Sequence, residues 1–167
     1  ISGCYVQRLI EKEIYSVTQT STMMLNLIII SRRSNQYAGT RFNRRGINRE
    51  GHVANYVESE QILSIKGKVF SYVQLRGSPP VFFQQTGFSG SKTTIMSSSD
   101  QELSQTSFMK HIQECTQDFK YMLLINLLDN QREKEIDIIT TYEENIRIAV
   151  SQNKLPSTKY IYFNFHS

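Results

Sequence analysis

The chain has 167 residues, 39% of them apolar and 20% charged, and a formal net charge of +4. That is enough for one domain with a sizeable core and too ordinary for a disordered or fibrous protein. Its longest apolar runs, MMLNLIII and YMLLINLL, are far too short to cross a bilayer.

The opening ISGCYVQRLIEKE places charges where a signal peptide needs an apolar core, and Ile1 is not a start residue, so the chain is expected to be a piece of a longer protein. MMLNLIIISRRS then reads as a strand that runs from an apolar interior to a polar end at Ser31. A stretch of charge follows. Arg32, Arg33, Arg41, Arg44, Arg45 and Arg49 are interrupted by no acid, and residues 31–80 hold nine Lys/Arg against three Glu. The modest overall charge conceals one strongly cationic third. Guanidinium groups match phosphate oxygens in pairs and are always charged. The run therefore suits nucleic acid, an anionic membrane surface or a small phosphorylated ligand. A solvated arginine face without a ligand is the plainer alternative.

HVANYVESEQILSI and KVFSYVQLRG are β-rich runs joined at Lys66-Gly67, and Gly in the second loop position suits a tight hairpin turn. With that loop, Ile65 pairs with Lys68 and Val57 lies opposite Arg76, which puts Arg76 at the far end of the hairpin. Glu58 and Glu60 share one strand face; an acid pair or a magnesium site is conceivable, but pairing with nearby arginines is the simpler role. Pro79 and Pro80 then exclude both a helix and a central-strand ladder. TGFSGSKTTIMSSSD, rich in Ser, Thr and Gly, reads as an exposed loop.

The remainder reads as α/β. Ser99 and Glu102 have the spacing of a capping box, and Phe108, Met109, Ile112, Cys115 and Phe119 recur at helical intervals. YMLLINLLD is a continuous apolar strand. A second helix spans about 132–151, marked by Ile136, Ile139, Ile146, Ala149 and Val150, and Pro156 precedes a last strand in KYIYFNFHS. Strand, helix, strand at this length is a βαβ unit, so the last two strands should be parallel and buried on both faces.

Catalytic constellations are incomplete. His52, His111 and His166 lack metal-ligand spacing, and His166, at a strand end, reads first as a hydrogen-bonded structural residue. Cys4 and Cys115 give no disulfide framework and no CxxC pair, which favours a reducing compartment. Neither begins a Cx5R phosphate loop, because the arginine position is Ile10 after Cys4 and Tyr121 after Cys115. Cys115 belongs to the apolar face of its helix. No metal or cofactor is called for.

Taken together, ISRRS, AGTRFNRRGINREGHVANYVESEQ, FSYVQLRGSPPVFFQQ and YIYFNFH resemble the Sac-domain phosphoinositide phosphatases, the Sac1-like and synaptojanin-like enzymes. The resemblance runs in the right order from about Leu25, while residues 1–24 resemble the join from the N-terminal Sac subdomain. It implies a mixed β-sheet with flanking helices, the first part of an α/β catalytic subdomain. The departures are small. Asn164 stands where the family has the Asp of FDFH, which puts an acid role there in doubt. Phe83 and Gln84 replace a usual Trp and its polar or acidic neighbour, and Ser59 replaces the Thr of VETEQ.

The resemblance implies a parent enzyme that removes phosphate from phosphatidylinositol phosphates through a cysteinyl-phosphate, at the cytoplasmic face of a membrane. Its nucleophile would lie in a Cx5R motif beyond the FNFH strand, so this piece alone is expected to be inactive. The family carries RRG and RGS in the same places. Arg41, Arg44, Arg45 and Arg76 are accordingly the candidates for attracting the headgroup or the membrane, or else internal partners of Glu58 and Glu60. A non-catalytic lipid-binding scaffold and, less suitably, an RNA-binding module remain as alternatives.

Overall fold

In the computed structural model, which describes residues 2–15, 20–39, 44–86, 92–95, 101–117, 119, 121–155 and 157–164, the apolar run at 25–30 lies inside an antiparallel sheet. Strands β1 (Ser2–Tyr15), β2 (Thr20–Arg33), β3 (Val57–Ile65) and β4 (Lys68–Arg76) form it in sequence order. The chain divides into two units. One comprises Ile1–Asn35 with Tyr56–Gly77, the other Gln36–Asn55 with Ser78–Ser167.

The first unit is this sheet. β2 is longer than its apolar run suggests, because it pairs with all of β1 from Tyr15↔Thr20 to Ser2↔Arg33. The β3–β4 hairpin has the register expected from its turn, with Ile65 opposite Lys68 and Val57 opposite Arg76. Lys66 (φ 48°) and Gly67 (φ 76°) are both left-handed, the backbone of a type I′ turn whose twist matches that of its strands. Since β2 pairs Arg33 with Val57, the row Arg33–Val57–Arg76 crosses one end of the sheet.

The second unit packs two helices on one face of a parallel pair. Helices α1 (Gln101–Thr116) and α2 (Glu133–Ser151) contribute Phe108, Met109, Ile112, Ile138, Tyr142, Ile146 and Ala149 to a core with Val81, Phe83 and Leu155. Tyr142 stands edge-on to Phe108 and to Tyr160, with centroids 6.2 and 5.9 Å apart. β7 (Met122–Asn126) and β8 (Thr158–Tyr162) pair in parallel, as a βαβ unit requires, and turn Met122, Leu124 and Tyr160 towards that core. Buried Asn126 donates to the Tyr160 hydroxyl (3.0 Å), which donates to Glu143 (2.8 Å). Burial, reinforced by the bond to Glu143, pushes the Tyr160 hydroxyl up to about 12.

The mixed α/β class read from the sequence is what the chain adopts, with antiparallel and parallel pairing in separate sheets. Three local expectations are corrected. KTTI, read as part of an exposed loop, is a strand: β6 (Lys92–Ile95) pairs with β5 (Phe83–Thr86). β-Branched residues opposite Phe83-Gln84-Gln85 outweigh the Ser/Gly signal around them. The parallel strands are not buried on both faces, since Leu123, Ile125 and Ile161 are exposed; the core lies on the opposite face. On α2, Ile138 and Tyr142 are buried while Ile136 and Val150 are exposed, a rotation of the buried stripe that follows from where α1 packs.

The left-handed turn yields a test. Lys66→Asn should stabilise the fold by a few tenths of a kcal/mol, because Asn tolerates φ > 0 better than Lys. Gly67→Val should destabilise it by about 1–2 kcal/mol. Urea melts that rank these variants in the opposite order would contradict the turn assignment.

Candidate functional site

The arginine-rich segment is a docked loop with a hairpin of its own. Asn48 accepts from the Gly51 N–H at its carbonyl (3.1 Å) and from the His52 N–H at its side chain (2.8 Å), while its own N–H donates to the His52 carbonyl (3.0 Å). These bonds close a tight turn and align the isolated bridge Ile47↔Val53. Ile47, Val53 and Ala54 are buried, so the segment between the arginines and the hairpin is anchored by its apolar residues.

Two backbones hold it. Ile47 N–H donates to the Val81 carbonyl (3.1 Å), and Ser78 N–H to the Ala54 carbonyl (2.8 Å), which employs the SPPV segment, bent by a Val81 N–H donation to the Pro79 carbonyl (2.8 Å), as a partner. A Cβ on Gly46 (φ +69°) would lie 2.3 Å from the Val81 carbonyl oxygen, so only glycine permits this approach. On the other side, Gly51 (φ +93°) meets α1, where a Cβ would stand 2.6 Å from the Lys110 Cβ. Ser107 (3.4 Å) and Lys110 (3.1 Å) both donate to the Arg49 carbonyl. His52 Nε2 lies 3.9 Å from a Glu114 carboxylate oxygen.

The arginines thus have distinct settings. Arg44 is exposed and lies over the Tyr37 ring at 5.5 Å, a cation–π contact that restricts its side chain. Arg45 is half-buried beside it, and the Arg49 side chain is exposed. Arg32 takes both acids of the sheet: its guanidinium lies 2.5 Å from Glu58 and 3.5 Å from Glu60, and Ser71 also donates to Glu60 (2.8 Å). Glu58 is therefore served by the arginine opposite it in register, and Glu60, two residues on along the same strand face, by the same side chain. Arg76 is exposed and makes no ion pair among the described residues. It belongs to the first unit, whereas Arg44 and Arg45 belong to the second. Arg41 and His166 lie outside the described residues.

Sequence reasoning missed the anchors of this loop. His111 is the least expected. Burial lowers its imidazole to about 4, opposed by a hydrogen bond to the Gly51 backbone and assisted by nearby His52. Its Nε2 also lies 3.7 Å from the Cys115 sulfur. Cys115 is buried, as its place on the apolar face of α1 predicted. Among the described residues no helix is long and apolar enough to cross a membrane.

The family model described as the SacI homology domain matches residues 1–167. The chain belongs to this family. It is 37% identical to the phosphatidylinositide phosphatase SAC2 of Danio rerio over 139 residues, covering 83% of this chain and 12% of that protein. Human synaptojanin-1 is 38% identical over 103 residues, 62% of this chain and 6% of that protein. A polyphosphatidylinositol phosphatase of Saccharomyces cerevisiae is 34% identical over 153 residues, 90% of this chain and 13% of that protein. The Sac chain spans only about an eighth of the SAC2 relative.

The setting of His111 gives the loop dock a pH dependence. The folded state holds the imidazole neutral, so between about pH 6.5 and 4 the unfolded chain binds the extra proton. The stabilisation is complete above that window and is lost as pH falls through it, by up to about 3 kcal/mol. Denaturation midpoints recorded from pH 7 to 4 should fall for the wild type, and His111→Gln should flatten the lower part of that profile. An equally steep profile in the variant would place the sensitivity elsewhere.

Proposed function

We propose that this Sac chain is part of a phosphoinositide phosphatase whose arginine-rich loop attracts the phosphorylated headgroup and the anionic leaflet that carries it. The match of the whole chain to a family whose relatives are named phosphatidylinositide phosphatases carries the reading. The loop supplies its physical content. Arg41, Arg44, Arg45 and Arg76 are the binding residues, residues 25–167 the first part of the catalytic subdomain, and the cytoplasmic face of a membrane the place of action. A headgroup with several phosphates presents oxygens that guanidinium groups grip in pairs, and each basic residue near an anionic leaflet adds about 1 kcal/mol of attraction.

In the proposed reaction a thiolate attacks the phosphorus, the inositol oxygen leaves with a proton, and water then releases phosphate from the cysteinyl-phosphate. A thiolate and its companion arginine supply nucleophile and charge stabilisation, so metal is dispensable. These 167 residues contain no Cx5R loop. Cys115 is buried against His111 and is no substitute for its thiolate.

Two experiments test the reading. The 167-residue chain should release no phosphate from any phosphoinositide above a buffer blank. The longer gene product should contain the Cx5R motif, and Cys→Ser within it should abolish turnover of short-chain phosphatidylinositol phosphates while a chelator leaves turnover unchanged. A gene product without the motif would favour a lipid-binding scaffold.

Binding is tested separately. Exchanging Arg41, Arg44 and Arg45 for Glu should remove at least nine-tenths of the extra sedimentation that phosphatidylinositol phosphate adds to phosphatidylcholine vesicles. Unchanged sedimentation by a folded variant would move the headgroup site off this loop.

A further inference from the structure

Alternation along β4 sets Lys68, Phe70, Tyr72, Gln74 and Arg76 on one face of the sheet, and all five are exposed. Phe70 retains 55% and Tyr72 60% of their accessible surface, although they are large apolar side chains one pleat apart, about 7 Å. Everything from Lys66 to Tyr72 is exposed, and among the described residues nothing lies within 4 Å of a Cβ built on Gly67.

The charges of the sheet are sorted by face. In register with this stripe are Val57, Ser59, Gln61, Leu63 and Ile65 on β3, and Leu25, Leu27, Ile29, Ser31 and Arg33 on β2. Not one is an acid. Glu58 and Glu60 fall on the opposite face, where Arg32 meets both. Nor does any Asp or Glu occur between Glu60 and Asp100.

We propose that this face docks on an anionic lipid bilayer, with Phe70 and Tyr72 entering the headgroup region and Lys66, Lys68, Arg76 and Arg33 pairing with lipid phosphates. Charge complementarity selects this occupant. Aromatic side chains bracketed by cations, with no acid on the same face, match a surface that is apolar below and negative above. β4 is also an edge strand, but lysine on an edge opposes the addition of another strand. The contact is independent of which headgroup is hydrolysed. It needs no phosphoinositide, only an anionic leaflet.

The chain contains no tryptophan, so Phe70→Trp installs a single reporter. With vesicles of phosphatidylcholine and phosphatidylserine free of phosphoinositide, its emission should shift to the blue, and lipids brominated near the headgroup should quench it. Phe70→Ser with Tyr72→Ser should weaken vesicle partitioning at least tenfold, and so should raising NaCl from 0.1 to 0.5 M. Arg44→Glu with Arg45→Glu should remove the phosphoinositide-dependent increment, whereas Phe70→Ser with Tyr72→Ser should lower partitioning onto vesicles free of phosphoinositide, which separates failure of the proposed function from failure of this proposal. Emission already blue without lipid and unmoved by vesicles would mean that protein covers β4. A blue shift that depends on protein concentration alone would indicate a second copy, and one produced by RNA oligomers but not vesicles a nucleic acid. Each of these results overturns the proposal.

Discussion

The close approach of two backbones at Gly46 is the constraint from which the cationic loop takes its form. The Val81 carbonyl must accept from Ile47 while passing so near the Gly46 α-carbon that a methyl group there would overlap it at 2.3 Å. Pro79 and Pro80 donate nothing, and the Val81 N–H turns back to the Pro79 carbonyl (2.8 Å), so the Val81 carbonyl is the one that meets Ile47. Once Ile47 is fixed, its bridge to Val53 fixes the turn between them, and Ala54 closes back on the Gly46 carbonyl at 2.9 Å. Arg44 and Arg45 therefore leave a rigid point in the chain. So does Arg49, whose carbonyl is held from α1.

A dense positive charge is costly to assemble, and the two units relieve it differently. In the sheet, Arg32 is neutralised by a pair of acids that its own strand register delivers, because β2 and β3 place Arg32 opposite Glu58. These ions are partly exposed, so the pairs contribute little stability. Their effect is on the field of that face alone, because strand alternation already sets both acids away from the side that bears Lys68 and Arg76. In the loop no ion pair neutralises Arg44 among the described residues, and its guanidinium rests on the Tyr37 ring. An aromatic face holds a guanidinium without consuming its N–H donors, so they remain directed at whatever approaches.

How much of this was legible in the sequence depended on the range of the causes. The β3–β4 register followed from one dipeptide, since the loop length determines every pairing beyond it. Helix α2 followed from helical spacing, and the parallel strands from a continuous apolar run and the strand–helix–strand order. The docked loop did not, because its anchors are Ile47, Val53 and Ala54, too few and too irregularly spaced to show a period. Its partners Val81, Ser107 and Lys110 are also distant in sequence. His111 gave no signal either: only the backbone of Gly51 against α1 makes its burial intelligible. The tilt of the buried stripe on α2 was likewise set by the neighbour it packs on, which amphipathic counting does not contain.

The rigidity of the loop bears on what its arginines can accomplish. An arginine on a mobile segment must surrender side-chain and backbone freedom to bind, at about 1–2 kcal/mol for each residue ordered. Here the hydrogen bonds of Asn48, the close contacts of two glycines and three buried apolar side chains have already fixed the backbone from Gly46 to Ala54. The remaining freedom lies in the side chains of Arg44, Arg45 and Arg49, and Arg44 is limited further by Tyr37. A prearranged set of cations favours a ligand with several phosphates at fixed spacing over an equal number of separate phosphates, because the ligand meets the set without reorganising it. Charge density alone would attract any polyanion. A fixed geometry adds a spacing requirement to that attraction.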